Sequence, residues 1–107
     1  MPDILTLTMN PALDIFTAID RVEPVHKLRC GAPEIHPGGG GVNVARVLHR
    51  LGSRVTAIYA AGGPAGQTLQ TLLDAEGVPS QVVPIQGATR ESFSVHERSS
   101  GQDYRFV

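Results

Sequence analysis

"HPGGGGVNVARVLHRLG", residues 36–52, sets four consecutive glycines directly before an apolar helical pattern. Glycine loses more backbone entropy on ordering than any other residue, so a chain that joins such a run to a regular helix must gain something by it. From Val42 onward, Val44, Val47, Leu48 and Leu51 recur at helical spacing, with Arg46, His49 and Arg50 off the stripe. That stripe predicts a helix with this face inward. Gly52 stands where a left-handed residue ends a helix.

Upstream, "DILTLTM" (3–9) reads as a buried strand closed by the turn-forming "NPALD". "IFTAIDRV" (15–22) predicts a strand with Ile15, Thr17 and Ile19 on one face and Phe16 and Ala18 on the other. "RCGAPEIH" (29–36) is a second extended piece ended by Pro37. Downstream, "RVTAIYAA" (54–61) is a strand, and "GGPAG" turns it into a helix around Gln67–Glu76 carrying Leu69, Leu72 and Leu73 on one face. Gly77 ends that helix before the strand "SQVVPI". Strands alternating with helices at this spacing predict a parallel βαβ sheet. The last part alternates differently. "SFSVHE", a turn "RSSGQD" and "YRFV" make a hairpin, with Phe93 and Val95 facing one way and Tyr104 and Phe106 on the return strand. The predicted fold class is therefore α/β, a parallel βαβ core with an interleaved small antiparallel β layer built from the excursions at 15–36 and 91–107.

The 107 residues fit one small domain, and 41% apolar content is ordinary for a globular chain. Nine Lys and Arg against ten Asp and Glu give a net charge of -1 without a dense basic run. This argues against a protein that holds nucleic acid by neutralising phosphates. Cys30 is the single cysteine, so no disulfide forms within the chain and a reducing cytoplasm is the expected compartment. The start "MPDILTLTMNPALD" lacks the basic n-region of a signal peptide, and no apolar stretch is long enough to span a bilayer as a helix. His26, His36, His49 and Cys30 show no metal-ligand spacing.

The glycines admit several readings. A P-loop needs Lys and Ser or Thr at the helix start, where this chain has Val42 and Asn43. A Rossmann fingerprint follows the first strand directly, whereas here more than twenty residues of non-helical chain intervene. A ligand-free hinge is the plain alternative. Bare backbone before a helix also lets a ligand approach free N–H groups carrying partial positive charge. Asn43 adds a donor and an acceptor in the first turn, which suits a polyhydroxylated or anionic ligand.

"GGGVNVA" (39–45), followed by Gly52 and Gly62, resembles the N-terminal signature of the ribokinase-like (PfkB) carbohydrate kinases. "TLTMNPALD" (6–14) and "KLRCGAP" (27–33) narrow the resemblance to its phosphofructokinase branch, and "TRESFSVH" (89–96) and "YRFV" (104–107) match the expected places. Fructose 6-phosphate is the acceptor expected there, with 1-phosphofructokinase and tagatose-6-phosphate kinase as neighbouring activities. The resemblance spans essentially the whole chain and implies the N-terminal part of a ribokinase-like fold. Core residues would be about 1–14 and 38–89, and a β lid about 15–37 and 90–107.

The resemblance also implies a chemistry. Members transfer the γ-phosphoryl group of ATP, with Mg2+, to a sugar hydroxyl. Asp14, at the end of the first core strand, would accept from sugar hydroxyls, and Gly38, Gly39, Gly40 and Asn43 would line the same sugar. Arg90 would grip the phosphate already on the phosphorylated ketohexose, as a guanidinium fork does. Lys27 and Arg29 are further cations for a sugar phosphate or nucleotide, reaching in from a partner subunit. The lid would pair with that of a second copy to form a homodimer. The family's "GAGD" motif, which supplies the catalytic base and anion hole, does not occur in these 107 residues. The chain is accordingly expected to be a fragment with no catalytic residue and no ATP site, inactive by itself. A non-catalytic sugar-phosphate-binding or dimerisation module is the alternative from another class.

Overall fold

Seven strands and two helices form in the order β1 (Ile4–Thr8), β2 (Ala12–Ile19), β3 (Glu34–Gly38), α1 (Gly40–Arg50), β4 (Val55–Ala61), α2 (Gly63–Ala75), β5 (Ser80–Pro84), β6 (Arg90–Glu97) and β7 (Asp103–Phe106). They are seen in a computed structural model that describes residues 3–107. β1, β4 and β5 make a parallel sheet in the order β1-β4-β5, with Ile4 opposite Val55 and Ala57 opposite Ser80. The second sheet has the order β3-β2-β6-β7. Its outer pairs, β2–β3 and β6–β7, are antiparallel, as alternation predicts, and they are joined by a parallel β2–β6 pairing. The parallel join has a simple origin. Both strands leave the core side by side, Ala12 opposite Arg90, and run outward together. Pro37 lies in β3 and Pro84 in β5, both edge strands where a missing N–H costs no central ladder bond.

The core lies between one face of the parallel sheet and the two helices, around Val42, Ala45, Val55, Ala57, Tyr59, Leu69 and Leu73. α1 corrects the sequence reading of its inward face. Val42 and Ala45 are buried, whereas Val44, Val47 and Leu51 are more than half exposed. Small residues win the inward position because α1 starts tight against β1: a Cβ on Gly41 would stand 3.0 Å from the Leu7 carbonyl oxygen. Periodicity alone could not choose between the two apolar sides of this helix. The opposite face of the parallel sheet also stays open, with Leu5, Leu7, Met9 and Val83 exposed, although parallel sheets are usually covered on both faces. Gly52, at φ 85, ends α1 as expected. Arg46 then ties α1 to the end of α2 through Glu76 at 2.9 Å. Among the described residues, no helix is long and apolar enough to cross a membrane.

Tyr59 is fully buried in β4. Burial raises its hydroxyl above the ordinary value of 10.0; the Ser80 hydroxyl opposes the rise and the Asp74 carboxylate adds to it. A raised pKa means that the neutral form is the one the fold accommodates. Its contribution to stability is complete below pH 10.0 and is lost as pH rises through the higher folded value. Chemical denaturation above pH 10 is expected to show a stability loss that Tyr59→Phe diminishes.

Candidate acceptor-binding site

The site forms where three segments leave the core for the lid. β1 ends at Thr8, and the turn through Asn10 and Pro11 starts β2 at Ala12. β3 delivers the glycines to α1, and Thr89 delivers Arg90 to β6. Ala12 stands opposite both Gly38 and Arg90, and two residues on, Asp14 stands opposite His36 and Ser92. Directly paired residues share a sheet face, so Gly38, Asp14 and Arg90 all lie on one side of the lid. Asp14 is thus part of the second strand, not the end of the first. The early start of β2 was hidden by Asn10 and Pro11, which mark a turn without fixing where the next strand begins.

Three glycines of the run, Gly38, Gly39 and Gly41, have separate reasons to be bare. A Cβ on Gly38 would sit 2.5 Å from Cγ of Asp14, inside its carboxyl group. Gly39 has φ 114, a left-handed-side conformation, and its Cβ would press on Thr8 and Pro11. Gly40 meets nothing within 4 Å and is exposed at the start of α1. Gly41 packs on Thr8. The backbone therefore makes room for Asp14, bends at Gly39 and opens to solvent at Gly40.

Two charged groups on this face lack the partners that such groups usually find. Asp14 is half-buried, yet among the described residues its carboxylate has no hydrogen bond or ion pair. Arg90 is exposed, and among the described residues its guanidinium reaches only the Asn10 carbonyl, through two long 3.4 Å contacts from Nε and Nη2. Asp14 and Arg90 are offset by two residues along paired strands, about 7 Å. That offset matches a ligand with hydroxyls at one end and an anion at the other. Ser92, buried at 5% exposure beside Asp14, is a hydroxyl that sequence reading missed. So is Thr89, whose Oγ1 accepts the Gly62 N–H at 3.0 Å while its own N–H bonds the Gly62 carbonyl at 2.9 Å. These two bonds lock the start of β6 to the start of α2, a long-range pairing with no local signal.

Asn43 donates its backbone N–H to the Gly39 carbonyl at 2.8 Å and is exposed in the first turn of α1. Its side chain borders a shallow groove with Val44, Val47 and Leu48. Lys27 and Arg29 do not join Asp14 and Arg90. Their neighbours Leu28 and Cys30 line a cavity with Phe93, Val95, Tyr104 and Phe106, residues of the opposite, apolar face of the lid. Within one chain, then, the two cations are carried on the wrong side of the sheet for this site.

Among the described residues, no three His, Cys, Asp or Glu side chains cluster as ligands for a metal ion. The second glycine-rich turn is closed by its own chain, since a Cβ on Gly62 would lie 2.6 Å from the Ile85 carbonyl oxygen. Carbonyl oxygens at that turn would repel a phosphate, and the turn serves the strand-to-helix connection.

The fold has counterparts among known proteins. Residues 7–107 match the family described as pfkB family carbohydrate kinase. An ATP-dependent 6-phosphofructokinase isozyme 2 from Mycobacterium tuberculosis is 57% identical over 106 residues, 99% of this chain and 31% of the relative. The crystal structure of phosphofructokinase-2 from Escherichia coli in complex with fructose-6-phosphate is 48% identical, with a TM-score of 0.93 over 100% of this chain and 35% of that one. The tetrameric inhibited form of the same Escherichia coli protein gives 0.91 at 48% identity, again over 100% and 35%. The chain spans about a third of the length of these relatives. With its glycine joint, its two sheets and a match over nearly all of its length, the chain belongs to the pfkB family of carbohydrate kinases.

Proposed function

We propose that these residues are the acceptor-binding and lid portion of an ATP-dependent phosphofructokinase that phosphorylates fructose 6-phosphate. The observation that carries the reading is an Asp14 carboxylate without a partner among the described residues and a nearly free Arg90 guanidinium on one sheet face, with bare Gly38 beside Asp14. Asp14 accepts hydrogen bonds from two sugar hydroxyls, Gly38, Gly39 and Gly40 leave room for the ring, Asn43 reaches it from α1, and Arg90 forks onto the phosphate. Two relatives support the ligand class by name: one is a 6-phosphofructokinase, and the other was solved with fructose-6-phosphate. ATP and Mg2+ belong to the complete reaction, whose base and anion hole the resemblance assigns to a motif that these 107 residues do not contain. Phosphoryl transfer relies on positioning and charge stabilisation. The 107-residue chain is therefore expected to bind the acceptor without phosphorylating it. Measurable ATP-dependent phosphorylation of fructose 6-phosphate by the purified chain would contradict this.

The lid's other face supports a homodimer. Ile15, Ile35, Phe93, Val95, Tyr104 and Phe106 share it, and Phe106 is 63% exposed. An apolar sheet face of this kind seeks a cover, and a second copy supplies one of matching chemistry. Lys27 and Arg29 are carried on that side, so in such a pair they would face the partner subunit. Sedimentation is expected to show a dimer that Phe106→Glu dissociates, and a strict monomer at high concentration would remove the dimer from the reading. A reducing cytoplasm as the compartment is part of the same proposal, consistent with one exposed, unpaired Cys30.

A further inference from the structure

We infer that Glu97 is a positioning residue: it pins the start of the 20–31 excursion to the lid and so fixes where Lys27 and Arg29 are presented. The role given to those two cations rests on the function proposed above; the pinning itself does not.

Glu97 closes β6 opposite Ile19, on the same face as Phe93 and Val95. A carboxylate there breaks the apolar pattern of that face, and it is only 7% exposed. A buried charge persists only where its lone pairs are filled by donors. Oε2 accepts the Val22 N–H at 2.6 Å, and Oε1 accepts the Ser100 hydroxyl. These two donors, the Ser100 hydroxyl foremost, hold the carboxyl below its ordinary range, and the field of Arg21 adds to them. The backbone around the carboxylate is equally committed. Glu97 N–H bonds Gln102 at 2.8 Å, Gly101 N–H bonds the Glu97 carbonyl at 2.9 Å, and Arg98 and Ser99 donate to Ile19 and Asp20 at 2.9 and 3.0 Å. One side chain thus joins the end of β2, the β6–β7 turn and the first residues of the excursion.

The far end of the excursion has its own anchor. Gly31 N–H bonds the Ala18 carbonyl at 2.9 Å, and Thr17 donates its hydroxyl to Gly31 at 2.7 Å. Between Val22 and Gly31 the described polar contacts are short-range within the segment, Glu23 with Arg21 and His26, and Cys30 with Leu28. Leu28 supplies the apolar contact. Removing the Val22 anchor therefore frees the segment that carries both cations while leaving the sheet's own ladder in place.

The test is amide hydrogen exchange on the 107-residue chain, comparing wild type with Glu97→Val and Glu97→Gln. Val suits the apolar face but accepts nothing; Gln keeps one acceptor oxygen without the charge. In Glu97→Val, exchange at the Val22 amide is expected to rise by about ten- to hundredfold, the range of a hydrogen bond to a charged group. Val95 and Tyr104 should keep wild-type protection, and Glu97→Gln should fall in between. Unchanged exchange at Val22 would overturn the inference. So would a uniform rise through β6 and β7, which would make Glu97 a merely structural residue. Should Glu97→Val fail to fold, Ser100→Ala removes one of the two donors and is expected to raise Val22 exchange in the same direction by a smaller factor; no change there would overturn the inference equally. Because no ligand is used, failure here leaves the acceptor-site reading separately testable.

Discussion

Asp14→Ala is expected to weaken fructose 6-phosphate binding by about 10²–10⁴-fold, the loss of two hydrogen bonds to a charged group, while leaving the melting temperature essentially unchanged. A side chain that stabilises a fold is normally satisfied by it. Asp14 is half-buried on a sheet face, with a bare glycine beside it and no internal partner among the described residues. Its replacement removes no contact that the fold uses, so the stability change should stay within about 0.5 kcal/mol. Activity-serving groups commonly carry this signature, a cost or indifference in stability set against a gain in function. Thermal melts alongside calorimetric titration check it. A large loss of stability together with modest loss of binding would make Asp14 a structural residue of the lid.

Gly38→Ala is expected to lower both stability and acceptor binding, and to do so only when Asp14 is present. The added methyl would fall within the carboxyl group of Asp14, 2.5 Å from its Cγ. Either the carboxylate rotates away or β2 and β3 separate, at a cost of about 1–3 kcal/mol, typical of overpacking. In an Asp14→Ala background the obstacle is gone, and the same substitution should be nearly neutral. The pair thus forms a double-mutant cycle with a predicted coupling, a far sharper result than either single change. Additive effects would mean that Gly38 is needed for the chain's path and not for Asp14. Gly39 makes a poorer probe. Its φ of 114 and its closeness to Thr8 and Pro11 mean that a side chain there harms folding as well as binding.

The order of strands and helices was legible in the sequence because each period is local. Strand alternation separated the faces within each lid strand, Ile15 from Phe16, while the β2–β6 register put Ile15 on the side of Phe93 and Val95. The glycines announced a joint between sheet and helix, although only the fold assigned them separate tasks. What could not be read was set by distant neighbours. α1 carries apolar residues on two sides, and the close approach of Gly41 to β1 decided that Val42 and Ala45 turn inward. Lys27 and Arg29 sit in an irregular excursion, where no period says which side of the lid they occupy. Glu97 and Thr89 carry no local signal of their roles, since their partners Val22 and Gly62 lie 75 and 27 residues away. The family resemblance rested on short motifs placed in order along the chain. Asp14 and Arg90 were reached through it, and register explains why they lie on the same face.

A phosphosugar acceptor site spanning Asp14 and Arg90 has a specific signature when fructose 6-phosphate and unphosphorylated fructose are titrated into the chain and into Arg90→Ala. Wild type is expected to prefer the phosphate ester, and the variant to lose that preference through an approximately tenfold or greater drop in fructose 6-phosphate affinity, the scale of a charge-assisted fork. Its weak affinity for fructose should not change. Equal affinity of both proteins for fructose 6-phosphate would contradict the assignment of Arg90 and, with it, the site.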